Sequence, residues 1–162
     1  MTDYTVQSLT IEELPECLET IRKAFSVNCE RFGFTEENYP SCAAFLTLEE
    51  LVRAKENGTH FYAVFIDGKM AGTVQLKRLD DNNYSFTRFA VLPEYQSLGL
   101  GRALINHCKG KAKEYGAEKM RLLMMYDNEP LRNFYESCGF ALVEKGSDSE
   151  HPFVYAIYET NV

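Results

Sequence analysis

Residues 84–115 organise this chain, and they read YSFTRFAVLPEYQSLGLGRALINHCKGKAKEY. The first eight predict a strand whose alternate side chains face one side of a sheet, namely Tyr84, Phe86, Arg88 and Ala90. Pro93 ends that strand because proline has no N–H to donate to a neighbouring strand. Apolar residues at helical spacing follow from Leu100, and Gly116 is a natural stop for the predicted helix.

The loop between this strand and this helix carries Gly99 and Gly101. A glycine loop that leads into a helix predicts an anion site, because the first helical N–H groups are unpaired and glycine lets a phosphate approach the backbone. A dinucleotide fingerprint is excluded, since it needs glycine or alanine at Leu104. A P-loop is excluded as well, since Arg102-Ala103 stands where that motif needs lysine followed by serine or threonine.

The composition favours a single soluble domain. At 162 residues the chain is long enough to bury a core, and its hydrophobic fraction of 45% is ordinary for a globular protein. No stretch approaches the roughly 18 apolar residues that a membrane helix needs. Asp3, Glu12 and Glu13 stand where a signal peptide would be basic and then apolar. We therefore expect a cytoplasmic protein.

The cysteines, histidines and charges narrow the function further. The five cysteines are widely spaced and form no Cys-x-x-Cys pair, which is typical of buried thiols. His60, His107 and His151 are scattered, so the sequence predicts neither a metal site nor a Cys–His nucleophile. The net charge of −7 and the dispersed basic residues argue against nucleic acid as a partner. The same charge favours a cationic partner, such as an amine, through long-range attraction.

The rest of the chain alternates between strand and helix signals. After a first strand at residues 4–9, capping boxes at 10–13 and 47–50 predict the starts of two helices, and Asp67-Gly68 predicts a hairpin turn. Residues 120–126 form an apolar run typical of a strand covered on both faces, joined to the central strand by a right-handed parallel crossover. Asn128 is a natural N-cap for a last helix that stops at Gly139, before two final strands. The predicted order is β-α-α-β-β-β-α-β-α-β-β.

Two motifs on this framework resemble those of the GCN5-related N-acetyltransferase (GNAT) family. The stretch 96–101, QSLGLG, is similar to the family's coenzyme A pyrophosphate loop, Arg/Gln-x-x-Gly-x-Gly/Ala. The spacing of Asn128, Phe134-Tyr135 and Gly139-Phe140 is similar to the family's second conserved block. The resemblance covers most of the chain. It implies an α/β (α+β) fold in which residues 1–162 form a single GNAT domain, with a mixed, mostly antiparallel central sheet and a β-α-β-α acyl-CoA-binding core.

The resemblance also implies an enzyme that uses acetyl-CoA as cosubstrate. The pantetheine arm would pair with the backbone of Phe89 and Val91, with Ala90 between them. Asn128 and Phe134 belong to the implied cofactor-binding residues, and Tyr135 would protonate the departing thiolate. The pyrophosphate would lie on the N–H groups of Gln96, Ser97, Leu98, Gly99, Leu100, Gly101, Arg102 and Ala103.

The sequence departs from the family pattern in two places. Gln96 stands where arginine is most frequent, which removes a charge from the loop. Many relatives carry a glutamate on the central strand that deprotonates the amine through water, but residues 84–89 contain no acid. Either the base comes from elsewhere, or ordered water and backbone carbonyls suffice. We interpret Arg88 as a structural or surface residue.

We expect the acceptor to be a primary amine of a small molecule or a protein, with the chain a monomer or homodimer and with no nucleic-acid or membrane partner. The acceptor should bind between the 28–45 segment and the 145–153 turn, which flank the cofactor groove in this fold. The missing base leaves open an alternative function, a non-catalytic acyl-CoA-binding regulatory module. A small interaction domain without a ligand would leave both glycine motifs unexplained.

Overall fold

The structure is a computed structural model that describes residues 3–162. The elements follow the predicted order, and no helix in this range combines the length and the apolarity needed to cross a membrane. The α-helices are α1 (Leu14–Phe32), α2 (Leu48–Glu56), α3 (Leu100–Glu114) and α4 (Glu129–Ser137). The strands are β1 (Thr5–Ser8), β2 (His60–Ile66), β3 (Lys69–Arg78), β4 (Asn83–Val91), β5 (Lys119–Met125), β6 (Ala141–Gly146) and β7 (Tyr155–Asn161).

The strands form one sheet in the order β1-β2-β3-β4-β5-β7-β6. Neighbouring strands are antiparallel except β4 and β5, which are parallel and connected through α3. The last hairpin folds back so that β7, rather than β6, lies against β5. This confirms the predicted fold class, a mixed and mostly antiparallel sheet with a β-α-β-α unit at its centre.

Helices cover the two faces of the sheet unequally. One core lies under α3 and α4 and includes Leu104 and Met120, and the other lies under α1 and α2 and takes its strand residues from β2 and β3. The prediction that β5 is covered on both faces is wrong. Met120 and Met124 are buried, but Leu123 is 46% exposed, because the second core does not extend to β5.

The local turns follow the residues that predicted them. Thr10 N–H donates to the Glu13 carboxylate at 2.9 Å, although this box opens a short 3-10 turn at 11–13 before α1 begins. Thr47 Oγ1 accepts from Glu50 N–H at 3.2 Å and opens α2. The 67–68 turn has positive φ at both residues, 51° and 76°, as a two-residue hairpin of this type requires.

The central strand β4 does not alternate strictly, so the predicted facing of its side chains is wrong on one point. Its register against β3 shifts by one residue, and Arg88 has a φ of 50°. This bulge turns Phe89 to the same side as Phe86, with ring centroids 5.1 Å apart. Arg88 lies on the opposite side, towards α1, where its guanidinium donates to Gln75 Oε1 at 3.2 Å.

Two partly buried histidines make the stability of this fold sensitive to acid. His60 stacks on Tyr115 at 4.4 Å, and His107 meets Tyr62 edge-on at 4.6 Å. Burial lowers the pKa of both imidazoles, and the positive charge of Lys111 lowers them further. The unfolded chain therefore binds more protons than the folded chain below about pH 6.5, and the free energy of unfolding falls as the pH drops below that value.

We expect His107→Phe, which keeps an aromatic ring against Tyr62, to lose less unfolding free energy than the wild type between about pH 7 and pH 5. Urea unfolding at each pH measures this loss. His60→Phe should act in the same direction, and the double variant should flatten the pH dependence further. Parallel curves for the wild type and all three variants would contradict the assignment.

Candidate active site

The parallel strands β4 and β5 separate along their length. Residues Asn83–Ser85 of β4 pair with Lys119–Arg121 of β5. Strand β4 then continues to Val91, and β5 continues to Met125. Strand β5 stays paired with β7 throughout. In the described chain, the edge of β4 beyond Ser85 is therefore not paired with β5, and we call this gap between the two strands the opening. An unpaired strand edge presents N–H and C=O groups that can pair with the amides of an extended ligand.

The backbone of β4 turns alternate residues towards this opening. Leu92 N–H donates to Ala71 O of β3 at 2.9 Å. Because hydrogen-bonding groups alternate between the two neighbours of an antiparallel strand, Ala90 faces β3 as Leu92 does. Phe89 and Val91 then face the opening. The family resemblance predicted that the backbone of these two residues, with Ala90 between them, would pair with the pantetheine arm.

The loop after β4 is shaped by two left-handed residues, Ser97 with a φ of 68° and Gly99 with a φ of 81°. Glycine adopts this conformation freely, whereas a serine held there stores about 1 kcal/mol or more. The Gln96 side-chain amide donates to Val91 O at 3.2 Å and ties the loop to the end of β4. Leu98, between the two left-handed residues, is 43% exposed and therefore does not pack into the core.

The N-terminus of α3 supplies hydrogen-bond donors at the end of this loop. The helix makes its first hydrogen bond from Ala103 N–H to Gly99 O at 3.1 Å. The N–H groups of Leu100, Gly101 and Arg102 therefore precede the hydrogen-bonded turns. The helix dipole adds positive potential at the same point. This arrangement suits an anionic group such as a phosphate.

Gly101 connects this helix end to the edge of β4. A Cβ at residue 101 would lie 2.9 Å from Phe89 Cζ and 3.2 Å from Phe134 Cζ. The two rings are parallel, with centroids 6.3 Å apart. The Arg102 side chain turns towards α4 and donates to Ser137 Oγ at 2.9 Å. The structure thus brings Phe89, Gly101 and Phe134 into one packed unit, while the Arg102 guanidinium holds α3 against α4.

Helix α4 carries Asn128 and Tyr135. Asn128 is the N-cap, and its Oδ1 accepts from Leu131 N–H at 3.4 Å. Tyr135 is 5% exposed and packs against Phe86 and Phe89. Burial raises the pKa of Tyr135, so the phenol keeps its proton at neutral pH. Tyr135 therefore lies beside the β4 edge as a neutral hydrogen-bond donor.

The face of β4 opposite Phe86 and Phe89 carries the cation Arg88. Burial lowers the pKa of the Arg88 guanidinium, and the charge of Glu50 opposes that effect. Its partner Gln75 is 2% exposed, and within residues 3–162 the Gln75 Nε2 has no hydrogen-bond partner. Arg88 is a partly buried structural residue at the bulge. This agrees with its interpretation from the sequence as a structural or surface residue.

Two loops meet beside the sheet. The loop between α1 and α2 brings Phe34 and Tyr39 against Phe153 of the β6–β7 loop, with ring centroids 5.6 and 5.4 Å apart. The base of the first loop is closed by contact between the free thiols of Cys29 and Cys42, whose Sγ atoms lie 3.7 Å apart. Burial raises the pKa of Cys29 to about 11, so this thiol is protonated. The two segments expected to flank the acceptor therefore contact each other.

Asp148 and His151, for which the sequence predicted no role, contact each other in the β6–β7 loop. Asp148 Oδ1 accepts from the backbone N–H groups of Glu150 at 3.1 Å and His151 at 2.9 Å. His151 Nδ1 lies 2.9 Å from the same oxygen. Asp148, Glu150 and His151 each have one potential metal-ligating atom, and these three atoms lie within 4.8 Å of one another. The Asx turn at Asp148 explains why the three residues are close together. The Asp-x-x-His spacing, in a loop already expected to flank the acceptor, is the sequence feature that could have indicated this pair.

Comparisons with known proteins agree with this geometry. The profile of the Acetyltransferase (GNAT) family matches residues 21–140. An uncharacterised N-acetyltransferase of Lactobacillus delbrueckii subsp. lactis is 29% identical over 167 residues, which span 95% of this chain and 91% of the relative. An N-alpha-acetyltransferase of Sulfurisphaera tokodaii is 31% identical over 120 residues, which span 67% of this chain and 68% of the relative.

A solved structure shares the fold over nearly the whole chain. It is the PaiA N-acetyltransferase of Thermoplasma acidophilum in complex with coenzyme A, with a TM-score of 0.77 and 23% sequence identity. The alignment covers 99% of each chain. The likeness therefore extends over every element described above, including the parallel strand pair.

Proposed function

This chain belongs to the acetyltransferase (GNAT) family, and from that premise we propose that it transfers an acetyl group from acetyl-CoA to a primary amine. The main support is the opening beside β4, which is bordered by the free N–H donors of α3 and by the buried phenol of Tyr135. The names of the N-acetyltransferase relatives, and the coenzyme A in the structure of the similar protein, support the same function.

In the proposed complex, the two halves of the cofactor bind to two different elements. The pantetheine amides pair with the backbone of Phe89 and Val91, and Asn128 and Phe134 contact the arm. Within residues 96–103, the pyrophosphate binds mainly to the N–H groups of Leu100, Gly101 and Arg102 at the positive end of the α3 dipole, because Gln96 N–H and Ala103 N–H already donate to Pro93 O and Gly99 O. Gln96 supplies a neutral amide where an arginine would add a charge, so the N–H groups provide most of the attraction for the phosphates.

The chemistry is acyl transfer through a tetrahedral intermediate. The amine nitrogen attacks the thioester carbonyl, and the Val91 N–H stabilises the oxyanion that forms. The C–S bond then breaks, and the thiolate leaves with the electron pair and receives a proton from Tyr135. Burial raises the pKa of Tyr135, whereas a free thiol has a pKa of about 8.5, so the phenol is the weaker acid. The phenol therefore donates a hydrogen bond to the sulfur before it transfers its proton. A proton from the amine nitrogen restores the phenol.

The second candidate function is a non-catalytic acyl-CoA-binding regulatory module. It would use the same cofactor-binding residues, and the observation that favours it is the Arg88 cation on a central strand without an acid between residues 84 and 89. Both functions require acetyl-CoA to bind in the opening, and only the enzyme requires turnover.

We expect acetyl-CoA to stabilise the fold against heat. A ligand that binds only the folded state at about 100-fold excess over Kd adds roughly 2.7 kcal/mol. For a chain of this size the corresponding rise in Tm is about 5–10 °C. Differential scanning fluorimetry measures this shift, with pantetheine, which lacks the pyrophosphate, as the control. An unchanged Tm at millimolar acetyl-CoA would remove both candidate functions.

A further inference from the structure

The β6–β7 loop holds a histidine in one fixed orientation. His151 Nδ1 lies 2.9 and 3.1 Å from the two carboxylate oxygens of Asp148. The backbone N–H of His151 and its ring both donate to that carboxylate, which holds the pKa of Asp148 below its ordinary value. The carboxylate is therefore ionised at neutral pH, and Nδ1 carries the proton that it donates to Asp148. With the Nδ1 proton donated to Asp148, Nε2 is the ring nitrogen that can accept a further proton.

The imidazole lies in a recess made by the two acceptor-flanking loops. Its side chain is 10% exposed, and its ring centroid lies 5.7 Å from that of Tyr39 and 5.2 Å from that of Phe153. Tyr155 of β7 lies 6.2 Å away and donates to Glu144 of β6 at 3.1 Å. The titratable groups around His151 are therefore Asp148 and Glu150 on its own loop, Tyr39 on the α1–α2 loop, and Tyr155 with Glu144 on the strands.

The topology places this recess at the end of β5, beyond the point where β5 stops pairing with β4. Tyr126 N–H, directly after β5, donates to Val154 O at 2.9 Å, and Tyr155 pairs with Met125. The pairing of β5 with β4 ends much earlier, at Arg121. The loop that carries His151 therefore lies beside the part of β5 that has separated from β4, and residues 84–89 of β4 contain no acid.

We propose that His151, oriented by Asp148, is the group that takes the proton from the acceptor amine. This inference rests on the proposed function, since it supplies the base that acetyl transfer needs and that the central strand lacks. An aliphatic amine arrives as an ammonium ion, and the negative charges of Asp148 and Glu150 at the rim attract it.

The acceptor nitrogen loses two protons in the proposed step. Nε2 accepts one proton from the ammonium ion, which frees the lone pair that attacks the thioester carbon. After the C–N bond forms, the nitrogen gives up a second proton, which replaces the one that Tyr135 donates to the thiolate. The products are the N-acetyl amine, free CoA thiol and one proton, which His151 releases to solvent. The reaction involves no oxidant, metal or further reactant.

The test compares His151→Gln with the wild type on the best acceptor from a panel of spermidine, lysine and an alanine-initiated peptide. We expect kcat/KM for the amine to fall about 100-fold near pH 7, because general base catalysis contributes at least that much. The neutral fraction of an amine with a pKa near 10.4 rises roughly 300-fold between about pH 7 and 9.5. The deficit should therefore narrow as the pH rises, while the acetyl-CoA thermal shift stays at its wild-type value.

Two further variants separate proton transfer from packing. Asp148→Asn keeps an oxygen for the turn but removes the charge that orients the ring, and we expect a smaller deficit with the same pH dependence. His60→Gln alters a half-buried histidine at the start of β2 and should keep wild-type kcat/KM. A His151→Gln rate within a few-fold of wild type, or a deficit that stays constant with pH, would overturn the inference. A wild type that binds acetyl-CoA but acetylates no amine would instead refute the proposed function.

Discussion

Replacing Gly101 with valine is expected to weaken acetyl-CoA binding roughly 10- to 150-fold, the equivalent of about 1.5–3 kcal/mol for a lost hydrogen bond to a charged group. The Cβ atom would enter the space of the Phe89 and Phe134 rings, which lie 2.9 and 3.2 Å from its position. Displacing Phe89 moves the β4 edge, and displacing the helix moves the phosphate donors. Isothermal titration calorimetry with acetyl-CoA measures the change in Kd.

The matched control is Gly110→Val on the same helix, where a Cβ would meet no atom within 4 Å. Overpacking at residue 101 should also lower the free energy of unfolding by about 1–3 kcal/mol, whereas the control should keep its stability and its affinity. Should a folded Gly101→Val variant bind acetyl-CoA like the wild type, the pyrophosphate is held elsewhere than at the start of α3.

Replacing Tyr135 with phenylalanine is expected to lower kcat about 100-fold, with little change in KM for acetyl-CoA. The phenyl ring keeps its packing against Phe86 and Phe89, so folding and cofactor binding are retained. The variant loses the hydrogen-bond and proton donor for the leaving sulfur. General acid catalysis contributes about 10²–10⁴-fold, and we expect the low end because a thiolate with a conjugate-acid pKa near 8.5 leaves readily.

Steady-state kinetics over a range of acetyl-CoA concentrations separates the effect on kcat from the effect on KM. The matched control is Tyr84→Phe, which removes a hydroxyl from a buried tyrosine of the same core at the opposite end of β4. If Tyr135→Phe turns over as fast as this control, Tyr135 is a packing residue, and the leaving thiolate takes its proton from water.

Local patterns predicted most of the fold, because the signals that define its elements lie within a few residues. The capping box at Thr47, the hairpin turn at Asp67-Gly68 and the N-cap at Asn128 each appear where the sequence predicted them. The exposure of Leu123 was not predictable in this way. An apolar strand run has the same appearance whether one face or both are covered, and coverage depends on where distant helices pack.

The bulge in β4 is a second feature that the local sequence pattern did not predict. A period of two predicted opposite faces for Phe86 and Phe89, but the left-handed Arg88 inserts one residue and places both rings in the same core. No residue between 84 and 91 is a glycine that would indicate such a bulge. The cost of a left-handed arginine is offset by tertiary contacts, which a local pattern does not contain.

One part of the candidate site was predictable from the sequence, and the other part was not. The glycine loop and the α4 motif are contiguous in sequence, so their residues were predicted together, and the structure brings Phe89, Gly101, Phe134 and Tyr135 into contact. The recess around His151 is assembled from loops more than one hundred residues apart. Its Asp148 partner is visible in the sequence only as a polar turn residue, and Tyr39 only as one aromatic in an irregular segment.

The most direct test of acetyl transfer in this opening is a turnover measurement with acetyl-CoA and a panel of primary amines. Free CoA thiol is followed with a thiol reagent, and the acceptor is examined by mass spectrometry. We predict thiol release that depends on the amine, with one N-acetyl amine formed for each thiol. Acetyl-CoA that stabilises the fold yet yields neither thiol nor acetylated product with any amine would contradict enzymatic function and leave the acyl-CoA-binding module.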